Sequence, residues 1–151
     1  MASKPRQRLY IDANCFIYLF ESHPVFGHPT RSLFSVVEQG KYKALTSTLT
    51  LLEVMAGPIK YGKEELAHEY AKLISTFPNL SLCDMNQDVA CCAARFRASG
   101  VKSPDSIHLA TAVVCEANYF ITEDSRLCKM AGIHGLTLSS FENQGVSQLD
   151  S

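Results

Sequence analysis

Short, nearly continuous apolar runs alternate with stretches of helical periodicity along almost the whole chain, and few folds accept that pattern. Arg8 to Asp12 is fit for a buried strand, and Asn14 to Phe20 follows with helical spacing. Pro24, Gly27 and Pro29 mark a loop. A helix over Thr30 to Gln39 then ends at Gly40, the residue type preferred just past a helix C-terminus. A second strand spans Tyr42 to Ser47. Thr48 is placed to cap the next helix, which Gly57-Pro58 stops. Lys63 to Phe77 is amphipathic, Leu80 to Cys83 is a third strand, and Asn86 to Ser99 is a helix ended by Gly100. Ser103-Pro104 reads as a cap followed by proline at the first helical position. A fourth strand spans Tyr119 to Thr122, then come a short helix from Ser125 to Met130 and a closing strand from Leu136 to Leu138.

Strands that alternate with helices predict an α/β fold with three layers, a mainly parallel central sheet covered by helices on both faces. The length of 151 residues suits one domain, drawn here as residues 1–142, followed by a polar tail over residues 143–151. No apolar stretch reaches the ~20 residues that cross a bilayer, and MASKPRQRLYID lacks the apolar core of a signal peptide. A cytoplasmic protein is expected. The six cysteines form no CxxC pair and sit within apolar patterns, which argues for free, buried thiols rather than bridges or zinc. No GxxxxGK[ST] phosphate cradle is present, which argues against nucleoside triphosphate chemistry. With a net charge of −1, any contact with nucleic acid must use local clusters such as Lys4/Arg6/Arg8, Lys41/Lys43, Lys60/Lys63 or Arg95/Arg97/Lys102.

Four acids stand at the edges of these apolar runs: Asp12 in RLYIDANCF, Glu53 in TSTLTLLEVMAG, Asp105 in KSPDSIHLATA and Asp124 in YFITEDSRL. Ligands of open parallel sheets gather beyond the carboxyl ends of the strands. Asp12 ends the first strand and Asp124 follows the fourth, while Glu53 lies one turn into its helix and Asp105 in the first turn of its own, so all four can meet at one rim. Each also has a plainer explanation. Asp105 could complement a helix dipole, Asp124 could cap the helix at Ser125, and Glu53 could be a solvated helix residue. Asp12 resists such an account, because a charge closing a buried strand needs a partner. Carboxylates ~5 Å apart at an effective dielectric near 20 repel by roughly 3 kcal/mol per pair. No lysine or arginine adjoins Asp12, Glu53 or Asp105 in sequence. A cation that accepts oxygen ligands, Mg²⁺ or Mn²⁺, is the expected solution, and hydrolysis of a phosphodiester is the chemistry that such a site serves.

In this order and spacing, YIDANCFIYLF, TSTLTLLEV, SPDSIHLATA and FITEDSRL resemble the PIN domain, a nuclease family, over about Arg8 to Phe141. The resemblance implies a parallel sheet flanked by helices, a Mg²⁺- or Mn²⁺-dependent endoribonuclease site, and frequent homodimers. Asp12 and Asp105 match the family's main metal ligands, Glu53 the helix-borne acid that completes the site, and Asp124 the fourth acidic position. Asn14 and Thr122 match supporting polar positions. The small single-domain form looks most like VapC-type toxins, which a cognate antitoxin holds inactive by inserting a segment into the site.

The expected activity is therefore hydrolysis of RNA that leaves a 5′-phosphate and a 3′-hydroxyl. Two rival readings share parts of the pattern. A receiver-like phosphotransfer module also places acids at strand ends, but usually shows adjacent acids after its first strand, where this chain has Asp12-Ala13. A stand-alone RNA-processing or RNA-binding protein of the same fold would lie outside toxin–antitoxin systems, and a purely binding one would not cleave.

Overall fold

A computed structural model describes residues 5–130 and 132–149, so Lys4 and the last two positions of the tail lie outside the described residues. Strand β1 (Arg8–Ile11) is followed by helices α1 (Ala13–Phe20) and α2 (Gly27–Glu38), then β2 (Lys43–Ser47), α3 (Leu49–Lys60) and α4 (Glu64–Thr76). Next come β3 (Leu80–Cys83), α5 (Gln87–Ala98), α6 (Ser103–Val114), β4 (Tyr119–Ile121), α7 (Ser125–Met130), β5 (His134–Leu136) and α8 (Leu138–Leu149). The sheet order is β3-β2-β1-β4-β5 and every recorded pairing is parallel. The chain winds outward from β1 to β3, then returns to lay β4 on the other side of β1. The crevice between the carboxyl ends of β1 and β4 is thus the point where the winding direction switches, the place where open sheets of this kind bind ligands.

Two-residue periodicity in the strands divides the core between the two faces. Leu9 and Ile11 of β1 join Phe16, Leu33, Val37, Val54, Leu138 and Phe141 on one face. Tyr10 turns the other way, to Leu45, Leu109, Ala112, Phe120 and Leu127. All of β1 past Arg8 is buried, as expected of a central strand covered on both sides. No helix among the described residues is long and apolar enough to cross a membrane. All six cysteines are free thiols, but only Cys15 is buried and Cys91 is exposed, which corrects the expectation of burial.

Several local expectations are corrected. Helix α2 begins at Gly27 and takes in Pro29, which sits in the first turn where a missing N–H costs no helical bond. The turn before it is held by the His23 ring, whose Nδ1 accepts from the N–H groups of Val25 and Phe26, both at 3.1 Å. Gly57-Pro58 does not stop α3, which runs to Lys60 with Pro58 inside. A proline this close to the end removes one bond, and Tyr61, Gly62 and Lys63 close the terminus by donating to the carbonyls of Gly57, Ile59 and Pro58. Thr48 makes no capping bond from its side chain; Ser47 Oγ instead accepts from the N–H of Leu49 at 3.0 Å. Likewise α6 starts at Ser103 itself, with Lys102 at the cap position and no side-chain capping bond.

The closing strand is His134–Leu136, and Leu138 opens a helix rather than ending a strand. Thr137 caps that helix, its Oγ1 accepting from Ser140 N–H at 3.1 Å, and Glu123 accepts from Leu138 N–H at 3.0 Å. Leu-Thr-Leu alternates like a strand, but the Thr137 cap and the burial of Leu138 and Phe141 settle it as a helix start, and α8 continues through positions 143–149 of the polar segment. Gly40 ends α2 as expected, at φ +83°.

One glycine is fixed by close approach. A Cβ on Gly135 would lie 2.4 Å from the carbonyl oxygen of Cys128 and 2.5 Å from its Cα, because α7 ends directly over β5. Gly135→Ala is expected to lower stability by about 1–3 kcal/mol or more, since backbone must move. Gly57→Ala, inside α3 with nothing within 4 Å of its added Cβ, should instead stabilise by about 0.4–1 kcal/mol. Urea unfolding midpoints of the two variants should move in opposite directions.

Candidate active site

The residue that follows β1 is Asp12, 5% exposed and held in place by the structure around it. Its backbone N–H donates to Ile121 at 2.9 Å, extending the pairing of β1 with β4. Its Oδ1 accepts from Ala13 N–H at 2.9 Å, which caps α1, and its Oδ2 accepts from the Thr122 hydroxyl at 2.7 Å. The same Thr122 oxygen accepts from Asp124 N–H at 3.2 Å and, more loosely, from the Asn14 amide at 3.4 Å. The residues just past β1 and β4 are thereby knitted together across the switch point, with Thr122 at the hub.

The cation that serves Asp12 arrives through the fold, and it is neither lysine nor arginine. His108 lies one turn beyond Asp105 on α6 and is 1% exposed. Its Nε2 is 2.6 Å from Glu53 Oε1 and 3.7 Å from Asp12 Oδ1, while its Nδ1 is 2.7 Å from the Tyr10 hydroxyl. Tyr10 is in turn fixed by the N–H of Ser47, which donates to its oxygen at 3.1 Å. Burial pushes the His108 imidazolium down, but the Glu53 hydrogen bond and the charges of Asp12, Glu53 and Asp105 outweigh it and hold the pKa above the usual histidine range. As an imidazolium the ring donates from both nitrogens, so α6 is tied to α3 by Glu53 and to β1 by Tyr10.

One cation does not neutralise the group. Burial raises the carboxyl of Asp12, opposed by His108, Thr122 and Ala13 and reinforced by Glu53, with a net upward shift. Asp105 is also raised, by its own burial and then by Asp12, Asp124 and Glu53, with His108 alone among the main influences pulling it down. Asp105 therefore feels the charge of the other three acids. Asp124 stands at the margin: the Arg126 side chain beside it, with the N–H groups of Arg126 and Leu127, holds its carboxyl below the usual range. Its Oδ1 accepts from Arg126 N–H at 2.9 Å, so the plain capping role foreseen for it is occupied.

Among the described residues, no three His, Cys, Asp or Glu side chains are arranged to hold a metal ion among themselves. The donor chemistry still fits a hard divalent cation. Asp12, Glu53 and Asp105 are oxygen donors with one imidazolium among them, which leaves a net negative charge, and Mg²⁺ commonly takes one or two carboxylates and keeps its remaining waters. Cavities open on both sides of the acids. One of ≈ 360 Å³ has Glu53, Phe20, Tyr61, Lys63 and Tyr70 in its wall. The other, ≈ 130 Å³, has Asp105, Lys102 and Arg126.

His108 and Arg126 are absent from the site as read from sequence. A signal for His108 existed: it follows Asp105 by three residues in SPDSIHLATA, which places both on one face of a helix. Arg126 follows Asp124 by two.

Removing His108 should strand Asp12 and Glu53 together. His108→Ala is expected to cost about 3–5 kcal/mol, toward the lower end because Glu53 keeps 31% of its side chain in water. Asp105→Asn should act in the opposite direction. A carboxyl raised in the folded state favours folding below its unfolded pKa, and that contribution is lost as pH rises through the folded value, so the ionised group is a burden at neutral pH. The thermal midpoint of metal-free Asp105→Asn should exceed that of the parent at pH 7, and the gap should close as the pH drops below the carboxylate range.

Comparison with known proteins agrees with this architecture. The family model described as PIN domain matches residues 9–133. No curated protein matches the chain. Among solved structures, VapBC2 from Rickettsia felis, bound to a DNA fragment from its promoter, superposes with a TM-score of 0.71 at 13% identity, over 87% of this chain and 98% of that one. A toxin–antitoxin complex from Klebsiella pneumoniae gives 0.64 at 24% identity, over 88% and 99%. VapC20 of Mycobacterium tuberculosis, a toxin that cleaves the sarcin–ricin loop, gives 0.66 at 14% identity, over 83% and 95%. The matched span runs from within β1, the strand that delivers Asp12, to the residue before β5, and takes in all four acids; on it the chain belongs to the PIN domain family.

Proposed function

We propose that this protein is a metal-dependent endoribonuclease that hydrolyses RNA phosphodiester bonds, and that it is the toxin of a VapBC-type toxin–antitoxin pair working in the cytoplasm. The observation that carries the reading is the uncompensated negative charge of Asp12, Glu53 and Asp105 at the switch point of the sheet. Membership of the PIN family and the fold shared with toxin–antitoxin proteins support it. At identities of 13–24% those neighbours speak for the fold, so the activity rests on the residues of this chain.

In this reading Asp12 and Asp105 hold Mg²⁺ or Mn²⁺, and Glu53 and Asp124 complete the set or orient the attacking water. When bound, such an ion polarises a phosphoryl oxygen and lowers the pKa of water. Thr122 and Asn14 keep Asp12 aimed, and His108 keeps Glu53 in register with it. The partner would be a cognate antitoxin, and a homodimer is the family expectation. Leu52 at 63% and Tyr61 at 75% exposure leave apolar surface on and just past α3 for such contacts.

Purified protein with Mg²⁺ or Mn²⁺ should cut single-stranded RNA, and EDTA should stop it. Thr122→Val, which removes only the hydroxyl that orients Asp12, should cost about 10–100-fold, and Asp12→Asn or Asp105→Asn at least as much. Cleavage that persists undiminished in EDTA, or in the Asp12→Asn/Asp105→Asn double variant, would overturn the proposal. Induced expression should arrest growth, and Asp12→Asn should relieve that arrest.

A further inference from the structure

Three carboxylates at a rim repel the polyanion they are meant to cut, so a productive complex needs cations that the phosphates can reach. His108 cannot serve, being 1% exposed and committed to Glu53 and Tyr10. The overall charge of −1 offers no general attraction. Two exposed cations do line the cavity that contains Asp105: Lys102, at the cap position of α6, and Arg126, in the first turn of α7.

Their states differ from those of the buried groups. Arg126 is 81% exposed and grips Asp124 with both arms of its guanidinium, Nε at 3.3 Å from Oδ1 and Nη2 at 3.1 Å from Oδ2. An exposed ion pair of this kind contributes little to stability, so little holds Arg126 where it is. The fork that fits a carboxylate fits a phosphate equally well. The Lys102 side chain has no hydrogen bond or ion pair among the described residues, and α6 begins behind it without a side-chain cap.

We infer that Arg126 and Lys102 receive the RNA phosphate next to the scissile one, and that Arg126 exchanges the Asp124 carboxylate for that phosphate as the substrate seats. The inference rests on the ribonuclease reading and adds a consequence to it. Arrival of the substrate would release Asp124, the acid of the four that an exposed side-chain cation holds in the free protein, toward the acids it must join. One anion replaces another on the guanidinium, and the Asp124 carboxylate set free adds to the negative charge that a divalent ion would meet at the rim.

The test is fluorescence anisotropy of the full chain with a fluorescein-labelled, mixed-sequence single-stranded RNA in EDTA, titrated across a salt series, with KM measured separately in Mg²⁺. Each phosphate contact on a single strand contributes about 0.7 to the slope of log affinity against log salt. Arg126→Gln and Lys102→Gln should each weaken binding several-fold, lower the slope by about 0.7, and raise KM, while the thermal midpoint stays near that of the parent. Arg126→Lys should keep the slope and lose part of the affinity. A merely structural link between Arg126 and Asp124 would leave the slope unmoved. If wild-type protein binds and cuts RNA while both glutamine variants bind with its affinity and slope, this assignment falls and the ribonuclease reading stands. If wild type neither binds nor cuts, both fall.

Discussion

A carboxylate closing the central strand of a parallel sheet must be given partners, and those partners organise the rest of this molecule. Asp12 sits between two helix-covered faces, where an isolated charge is costly enough that a protein either pairs it or protonates it. The chain answers from four directions: Ala13 from the helix that Asp12 itself starts, Thr122 from the neighbouring strand, His108 from across the sheet on α6, and Tyr10 fixing His108 from behind. Ala13 and Tyr10 are local in sequence to Asp12; Thr122 and His108 are not. The strand order that lays β4 beside β1 is what delivers Thr122, and the crossover from β3 to β4 is what delivers His108 and Asp105 on one helix face.

That arrangement is well packed and yet electrostatically incomplete. A core built for stability alone would have no reason to raise two carboxyls against each other with one imidazolium between them. Buried ionisable groups whose affinities are displaced by burial and by like charge are a mark of sites that bind or react, and their cost is commonly tolerated where function needs it. The rigid surroundings make the cost bearable. Tyr10 stacks on Phe120 with centroids 5.3 Å apart, and Thr46 bonds both Ile11 and Thr50, so the floor beneath the acids is fixed by groups that carry no charge.

How far this was visible in the sequence depends on the range of the interaction concerned. Asp12 could be read because the conflict is local: an acid closing IleAsp at the end of an apolar run is anomalous without any knowledge of the fold. Glu53 and Asp105 needed only helical phase and the rule that parallel sheets gather ligands at one edge. His108 could not be read in the same way. Within an apolar helix a histidine is equally well a satisfied core residue, and only the packing of α6 against α3 and β1 decides which carboxylates face it. The counter-ion of Asp12 lies 96 positions away along the chain, beyond the range over which neighbouring lysines and arginines could reveal it. Pro58 and Leu138 show the same lesson in the backbone. A proline reads as a stop until the bonds of the last turn are counted, and an alternating Leu-Thr-Leu reads as strand until the Thr137 cap is seen.

The two cations drawn into the acidic rim differ in how freely they can leave it. His108 is buried and bonded on both sides of its ring, so its positive charge is part of the scaffold and can be displaced only at the cost of rearranging α3 and α6 against β1. Arg126 is in water and bound to a neighbour two residues away, so its charge is exchangeable. A site that must hold carboxylates in place before any ligand arrives, and then accept a second set of negative charges, needs one of each. Fixed positive charge alone would neutralise the acids and leave nothing for a divalent ion to bind. Exchangeable charge alone would leave Asp12 without a partner inside the fold. The division of labour follows from burial: the helix whose first turn carries Asp105 places its next turn inside the protein, and the short helix after β4 lies at the surface.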